Sequence, residues 1–415
     1  MRKKLLRSLP EVKRMYTGFQ FTQQIQRSTS ALGSLTGGNL ADALGRRAAF
    51  LLCCVPLLAG PLLCAWAASF TQLAAGRLIT GVAIGLSSAL VSTYISEVAP
   101  TKLRGTLGTI NQLVICIGIL AVLCVNVALP VTQWRSFFLL GAVPAVLLGL
   151  GMLAVCPESP RWLASKGRNA EAESAARSLW GPGGVSELSG GAAPDAGGDK
   201  SKEGEASMFA PRYRKGVLIG ILLFAIQQFA GINALVYFST SVFRQAGVQS
   251  DTLASAAVGV TNVLGTVVAA SIIEKAGRKQ LLANSYLGQA AAMLLMAFGF
   301  ASPALSQYAA PIAVVGTLLY IVTFALGAGP VTGLLVPELC AASIRGRAVA
   351  AAMTSHWVCN VAVGQTFMAA VTQFGLAGCY AAFGVVALLG AFFVRSQVPE
   401  TKGKTFDQIE AELNA

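Results

Sequence analysis

The chain has 415 residues, of which 54% are hydrophobic and 12% charged, with a mean hydropathy of +0.64 and a formal net charge of +13. Soluble domains carry roughly a quarter charged residues, so this composition argues against one large soluble core. The basic surplus is not a nucleic-acid surface either, because Lys and Arg fall in short gaps between apolar blocks and form no stripe with interleaved aromatics.

Residues 1–30 contain seven basic residues and no apolar run. They are read as a basic N-terminal segment, open to explanation as a transit peptide, an alternative start or an incomplete gene model. The piece from Ala31 to Leu44 is apolar but short for a membrane span. Ten blocks of spanning length follow, at 49–69, 72–97, 104–128, 134–156, 213–243, 252–274, 280–301, 308–338, 346–372 and 374–395. Between the fourth and fifth lies a polar segment dense in charges of both signs, Gly/Ala/Ser-rich in its middle. The expected organisation is therefore a segment 1–30, a helical half 31–156, a polar loop 157–212, a second helical half 213–396 and a tail 397–415. Arginine and lysine occupy every second gap: Arg46 and Arg47, Lys102 and Arg104, then Lys275, Arg278 and Lys279, then Arg345 and Arg347, and finally Arg395. This alternation places those gaps and the tail on the inner side.

Cysteines and the single histidine show no metal-ligand spacing, so no metal, cofactor or disulfide framework is expected. No nucleophile–base pair is apparent, and an enzyme is not expected.

The two halves repeat one another. Gly45-Arg46 recurs as Gly277-Arg278, Arg104-Gly105 as Arg345-Gly346, and Pro157-Glu158 as Pro399-Glu400. These inner-side marks recur at nearly one offset, the pattern of two parallel halves in a major facilitator fold. An arginine after a turn-forming glycine can pair with a carboxylate at a neighbouring helix end. The expected inner latch joins Arg46, Arg104 and Arg161 with Asp42, Glu97 and Glu158 in the first half. In the second it joins Arg278 and Arg345 with Glu338 and Glu400. The block 322–338 holds Gly327, Gly329, Pro330, Gly333 and Pro337, too many breakers for a rigid rod, and reads as a hinge.

The stretches GSLTGGNLADALGRR (33–47), GRLITGVAIGLSSALVSTYISEVAPTKLRG (76–105), PESPRWL (157–163), QQFAGINALVYFSTSVF (227–243), EKAGRK (274–279) and PETKG (399–403) carry a resemblance. Together they resemble the sugar porter family of the major facilitator superfamily across residues 33–407. The runs QQFAGINALVYFSTSVFRQAG and ELCAASIRGRAVA are similar to the plastidic glucose transporters of plants and algae. The resemblance implies an all-α membrane protein of two parallel helical halves, with about ten complete spans, the first helix missing and the second reduced to its last turns. It implies hexose transport by alternating access, with a sugar sensor or an inactive truncated carrier as alternatives. The implied partners are a sugar and the lipid bilayer, the chain being a monomer; proton coupling is not legible. The implied membrane is the plastid inner envelope, with the plasma or vacuolar membrane as alternatives.

Gln112, Gln227, Gln228, Asn262 and Asn360 are polar groups well inside their spans, where facing lipid is costly. With Asn233 they match the family's sugar-binding amides one by one. Asn233 lies about 140° around a straight helix from Gln228, so both reach one ligand only if the helix unwinds near Gly231. Trp357 is too deep for the interfacial belt and matches the tryptophan that stacks on sugar. His356, the only histidine, is read as a hydrogen-bonding wall residue. The glutamate and tryptophan that some members carry at the positions of Ala325 and Gly333 are absent, so their sugar preference does not transfer.

Overall fold

The computed structural model describes residues 10–100, 103–128, 133–185, 188, 207–245, 247–248, 251–341, 344–404 and 406–414, and these are almost wholly helical. The first half comprises α1 (Pro10–Leu44), α2 (Arg46–Ala65), α3 (Phe70–Val98), α4 (Arg104–Ala128) and α5 (Trp134–Ala154). Two short helices, α6 (Pro160–Ser165) and α7 (Asn169–Trp180), lead into the polar loop. The second half comprises α8 (Arg214–Phe229), α9 (Ile232–Gln245), α10 (Asp251–Ala276), α11 (Arg278–Ala301), α12 (Ala309–Leu326), α13 (Ala328–Leu339) and α14 (Arg345–Gln397). A tail helix, α15 (Phe406–Asn414), packs on α8 and α13.

Local chemistry sets several boundaries. Ser69 caps α3 by accepting from the Gln72 N–H at 3.2 Å, while Gln72 Oε1 accepts from the Ala68 N–H at 2.8 Å, a reciprocal cap. The 53 residues of α14 are two helices joined at Gly375, whose φ of 71° and ψ of 170° are non-helical. That break falls at the start of the expected block 374–395, one residue past its boundary. Counted this way, the ten expected spans are all present.

The N-terminal expectation needs correction. α1 is a continuous 35-residue helix beginning at Pro10, far longer than the last few turns anticipated. Its polarity hid it: Thr22, Ser30 and Ser34 are buried, and Thr29, Ser30 and Ser34 return hydroxyl bonds of 2.9–3.0 Å to carbonyls four residues back. Hydroxyls satisfied within their own helix cost little in a bundle interior, yet they lower any hydropathy average. α1 packs against α3 of its own half and against α14 of the other, making it a seam between halves.

The halves are packed unequally. The largest fully buried side chains are Tyr286, Tyr320 and Tyr380, all in the second half, whose buried apolar cluster runs from Val217 to Leu413. The first half holds a smaller cluster around Phe50, Leu90 and Met152.

Candidate functional site

The site begins with a helix break. Between α8 and α9, Gly231 adopts φ 99°, a left-handed conformation that glycine alone takes without strain. A Cβ there would also stand 2.8 Å from the Phe383 ring and 2.9 Å from Met293 Cε. The carbonyl of Ala230 freed by the break accepts from the Tyr320 hydroxyl at 3.0 Å. Unwinding brings Asn233 round, so that its Nδ2 donates to Gln228 Oε1. Gln228 Nε2 in turn lies 2.8 Å from His356 Nδ1 on α14. An amide N–H donating there makes Nδ1 the acceptor, which leaves the ring neutral with its proton on Nε2.

α14 extends the polar wall from His356. Trp357 donates through Nε1 to Ser88 Oγ of α3 at 3.3 Å, reaching into the other half. Asn360 Nδ2 donates to the Tyr237 hydroxyl of α9 at 3.3 Å. Asn360 is 2% exposed, and its Oδ1 has no hydrogen-bond partner among the described residues.

A second chain of contacts leaves Gln227. Its Nε2 donates at 2.6 Å to the carbonyl of Ala328, the first residue of α13 beyond the break at Gly327. Ser285 satisfies groups that the break frees, accepting from the Ala328 N–H at 2.9 Å and donating to the Thr323 carbonyl at 2.6 Å. Gln112 on α4 stands beside Gly329 and bonds weakly to Cys116 Sγ at 3.6 Å; Cys116 meets Thr266 Oγ1 at 3.5 Å. Thr266 lies one turn from Asn262 on α10 and donates to its carbonyl at 2.8 Å. Asn262 Oδ1 is buried and, among the described residues, unpartnered.

A cleft opens between the halves. Its first-half wall includes Ser92, Ser96, Asn111 and Gln112, and its second-half wall is Gly329, Pro330, Gly333, Leu334 and Pro337 of α13. Of the expected amides only Gln112 lines it; Gln228, Asn233 and Asn360 gather instead around His356 and Tyr237. Tyr237, Ser88 and Asn111 were not anticipated, although Tyr237 sits one turn beyond Asn233.

The inner ends carry charge in a repeated geometry. Arg46 makes a bidentate pair with Glu97, both bonds 2.8 Å, and its Nη1 lies 3.1 Å from Asp42. In the second half Arg278 meets Glu274 at 2.9 Å and Glu338 at 3.4 Å. Glu158 accepts the backbone N–H of Arg46 at 2.8 Å and of Arg47 at 3.1 Å, and Glu400 accepts those of Arg278 at 2.9 Å and Lys279 at 3.1 Å. The reason lies in Gly45 and Gly277, with φ 91° and 85°, which turn the chain so that the first N–H groups of α2 and α11 face these carboxylates. Arg345 donates to the carbonyls of Pro337 at 3.0 Å and Cys340 at 3.4 Å. Arg161 is half-buried on α6, next to Trp162, whose indole donates to the Asp42 carbonyl at 3.1 Å. The Arg104 side chain lies outside the described residues.

Two acids of this network also cross between halves. Glu274 accepts from the Thr106 N–H at the start of α4 at 3.3 Å. Asp42 Oδ1 lies 3.1 Å from where a Cβ on Gly346, at the start of α14, would stand. Each half thus sets a carboxylate against a helix N-terminus of the other at the inner side. The offset from Asp42 to Glu274 equals that from Arg46 to Arg278, so the repeat marks Glu274 as the counterpart of Asp42, though not which helix start each one faces.

Two parallel helical halves, broken helices at mid-membrane and an amide-lined interface between halves define a membrane carrier of the major facilitator type. Residues 26–413 match the Sugar (and other) transporter family, and the chain belongs to it. It is accordingly a multi-pass membrane transport protein rather than an enzyme. It is 48% identical over 391 residues to plastidic glucose transporter 4 of Arabidopsis thaliana, covering 93% of this chain and 71% of that one. It is 37% identical to the solute carrier family 2 facilitated glucose transporter member 2 of Gallus gallus, covering 92% and 73%. Among solved structures, the proton:xylose symporter XylE bound to 6-bromo-6-deoxy-D-glucose matches with a TM-score of 0.85 at 28% identity, over 98% of this chain and 91% of that one. The inward-open conformation of XylE from E. coli matches less well, at 0.69, 28% identity, and 95% and 88% coverage.

Proposed function

We propose that this chain carries a neutral hexose, glucose foremost, through the plastid envelope as a facilitative carrier working by alternating access. The observation that carries the reading is a pair of buried amide oxygens with no hydrogen-bond partner among the described residues: Asn360 Oδ1 on α14, the helix that also carries His356 and Trp357, and Asn262 Oδ1 on α10, one turn from Thr266. A buried acceptor without a donor costs about 1–3 kcal/mol, and a sugar hydroxyl is a donor of the right size to relieve it. Gln112, Gln227, Gln228 and Asn233 supply further donors and acceptors, and Trp357 offers an apolar face to ring C–H groups. The relatives named for glucose and the sugar-bound XylE support the substrate class, and the 48% identical plastidic relative supports the membrane.

In this reading the network of Asp42, Arg46, Glu97, Glu274, Arg278 and Glu338 holds the inner side closed, with Arg161 and Arg345 bracing it and Glu158 and Glu400 fixing the helix ends. Gly327, Gly329, Pro330 and Gly333 let α13 bend as the inner path opens. His356, accepting from Gln228, is a fixed wall group and relays no proton. The test is counterflow of radiolabelled glucose into liposomes holding the purified chain, with and without a pH gradient. Uptake independent of the gradient is expected; no counterflow refutes carriage, and gradient-driven accumulation refutes the facilitative reading.

A further inference from the structure

Charge within the membrane is costly unless it has work or a partner, and Arg27 on α1 stands out. Its guanidinium carbon lies 4.1 Å above the centre of the Tyr237 ring, so a cation of the first half rests on an aromatic of the second. It also lies against α14: a Cβ on Gly364 would stand 2.5 Å from Arg27 Nη1. Gly364 is four residues beyond Asn360, about 6 Å further out along the helix. The Arg27 contact therefore lies one turn outside the amide that faces the site, and Tyr237, which carries the guanidinium on its ring, also receives the Asn360 N–H through its hydroxyl.

Two features aim Arg27 across the seam. Helical side chains lean toward the helix N-terminus, which for α1 is the outer end. Arg77 of α3, whose Nη1 donates to Gln26 Oε1 at 2.5 Å, lies close enough for its charge to act on Arg27. Repulsion from its own half favours the seat on Tyr237.

We propose that Arg27 is the outer lid of the sugar cavity: its contact with Tyr237 and the Gly364 backbone closes the site on the outer side and must break for sugar to pass. This rests on the sugar-carrier reading. In that reading the inner side is already closed by the Asp42 and Glu274 contacts, so the lid makes the cavity occluded. Arg27 acts through Tyr237 as a positioning residue, holding Asn360 and slowing release of bound sugar.

The experiment measures D-glucose release from the purified full chain in nanodiscs, by stopped-flow tryptophan fluorescence. Arg27→Ala is expected to speed release roughly 2- to 5-fold, the range of one partly exposed cation–π contact. Arg27→Lys should keep most of the wild-type rate. On a Tyr237→Ala background, Arg27→Ala should add nothing, since the partner is gone. Melting temperatures of Arg27→Ala and Arg27→Lys should equal that of wild type. Release from Arg27→Ala at the wild-type rate overturns the lid, as does a further acceleration on the Tyr237→Ala background. Equal damage by Lys and Ala with a lowered melting temperature also overturns it, by assigning Arg27 to packing. If the wild-type chain gives no glucose signal at all, the carrier reading fails and the lid falls with it.

Discussion

Gly38 is a point where the backbones of the two halves meet on the inner side, and adding one methyl there should open the molecule inward. A Cβ on Gly38 would lie 2.6 Å from the Gly346 carbonyl oxygen and 2.9 Å from its carbon, both backbone atoms that cannot rotate away. Ordinary contact begins near 3.4 Å, so α1 and α14 would have to part by about 0.8 Å. Overpacking of this kind costs about 1–3 kcal/mol. The cost falls on the inner-closed state alone, because the two backbones separate when the inner side opens. The ratio of inner-open to inner-closed molecules should therefore rise about 5- to 150-fold in Gly38→Ala. The reporter is Gly333→Cys: Gly333 lines the inner cleft and has nothing within 4 Å of its Cβ position, so a thiol fits. Its labelling rate in inside-out vesicles, read peptide by peptide in a mass spectrometer, should increase by that factor. Gly118→Ala, also with nothing within 4 Å, serves as the control and should leave the rate alone. An unchanged rate in Gly38→Ala would show that the backbones are not in contact there, or that this contact does not bias the two states.

Two further expectations follow from particular residues. Gly231→Ala forces an L-residue into φ 99° and sets a methyl against Phe383 and Met293, so Asn233 and Gln228 should lose their alignment and glucose affinity should fall at least about tenfold by equilibrium dialysis; wild-type affinity would mean the break does not position the site. Glu158→Gln and Glu400→Gln each weaken a carboxylate cap on two backbone N–H groups, a loss of about 0.5–2 kcal/mol that should lower the melting temperature by similar amounts, roughly 2–4 °C per kcal/mol. No shift in either variant would contradict the capping geometry.

The spans were legible because apolar length and alternating charge need no tertiary knowledge; even the break at Gly375 showed as a gap between blocks. The unwinding at Gly231 was legible because Gln228 and Asn233 could not otherwise share a ligand. What escaped was governed by context. α1 carries glutamines, serines and threonines that close bonds within its own helix or toward α3, so its helicity left no hydropathy signal. Pairing of opposite charges gave no hint that left-handed turns at Gly45 and Gly277 would also present backbone N–H groups to Glu158 and Glu400. The cross-half role of Asp42 and Glu274 depends on which helix starts lie opposite, a property of packing rather than of spacing.

The most direct measurement is binding of radiolabelled glucose to the purified chain, wild type against Gln228→Ala, with melting temperatures in parallel. Gln228 is 1% exposed and links Asn233 to His356, so its loss removes a sugar partner and frees two others. The dissociation constant should rise about 10- to 100-fold while the fold persists. Equal affinity in the two proteins would place the sugar elsewhere and undo the site.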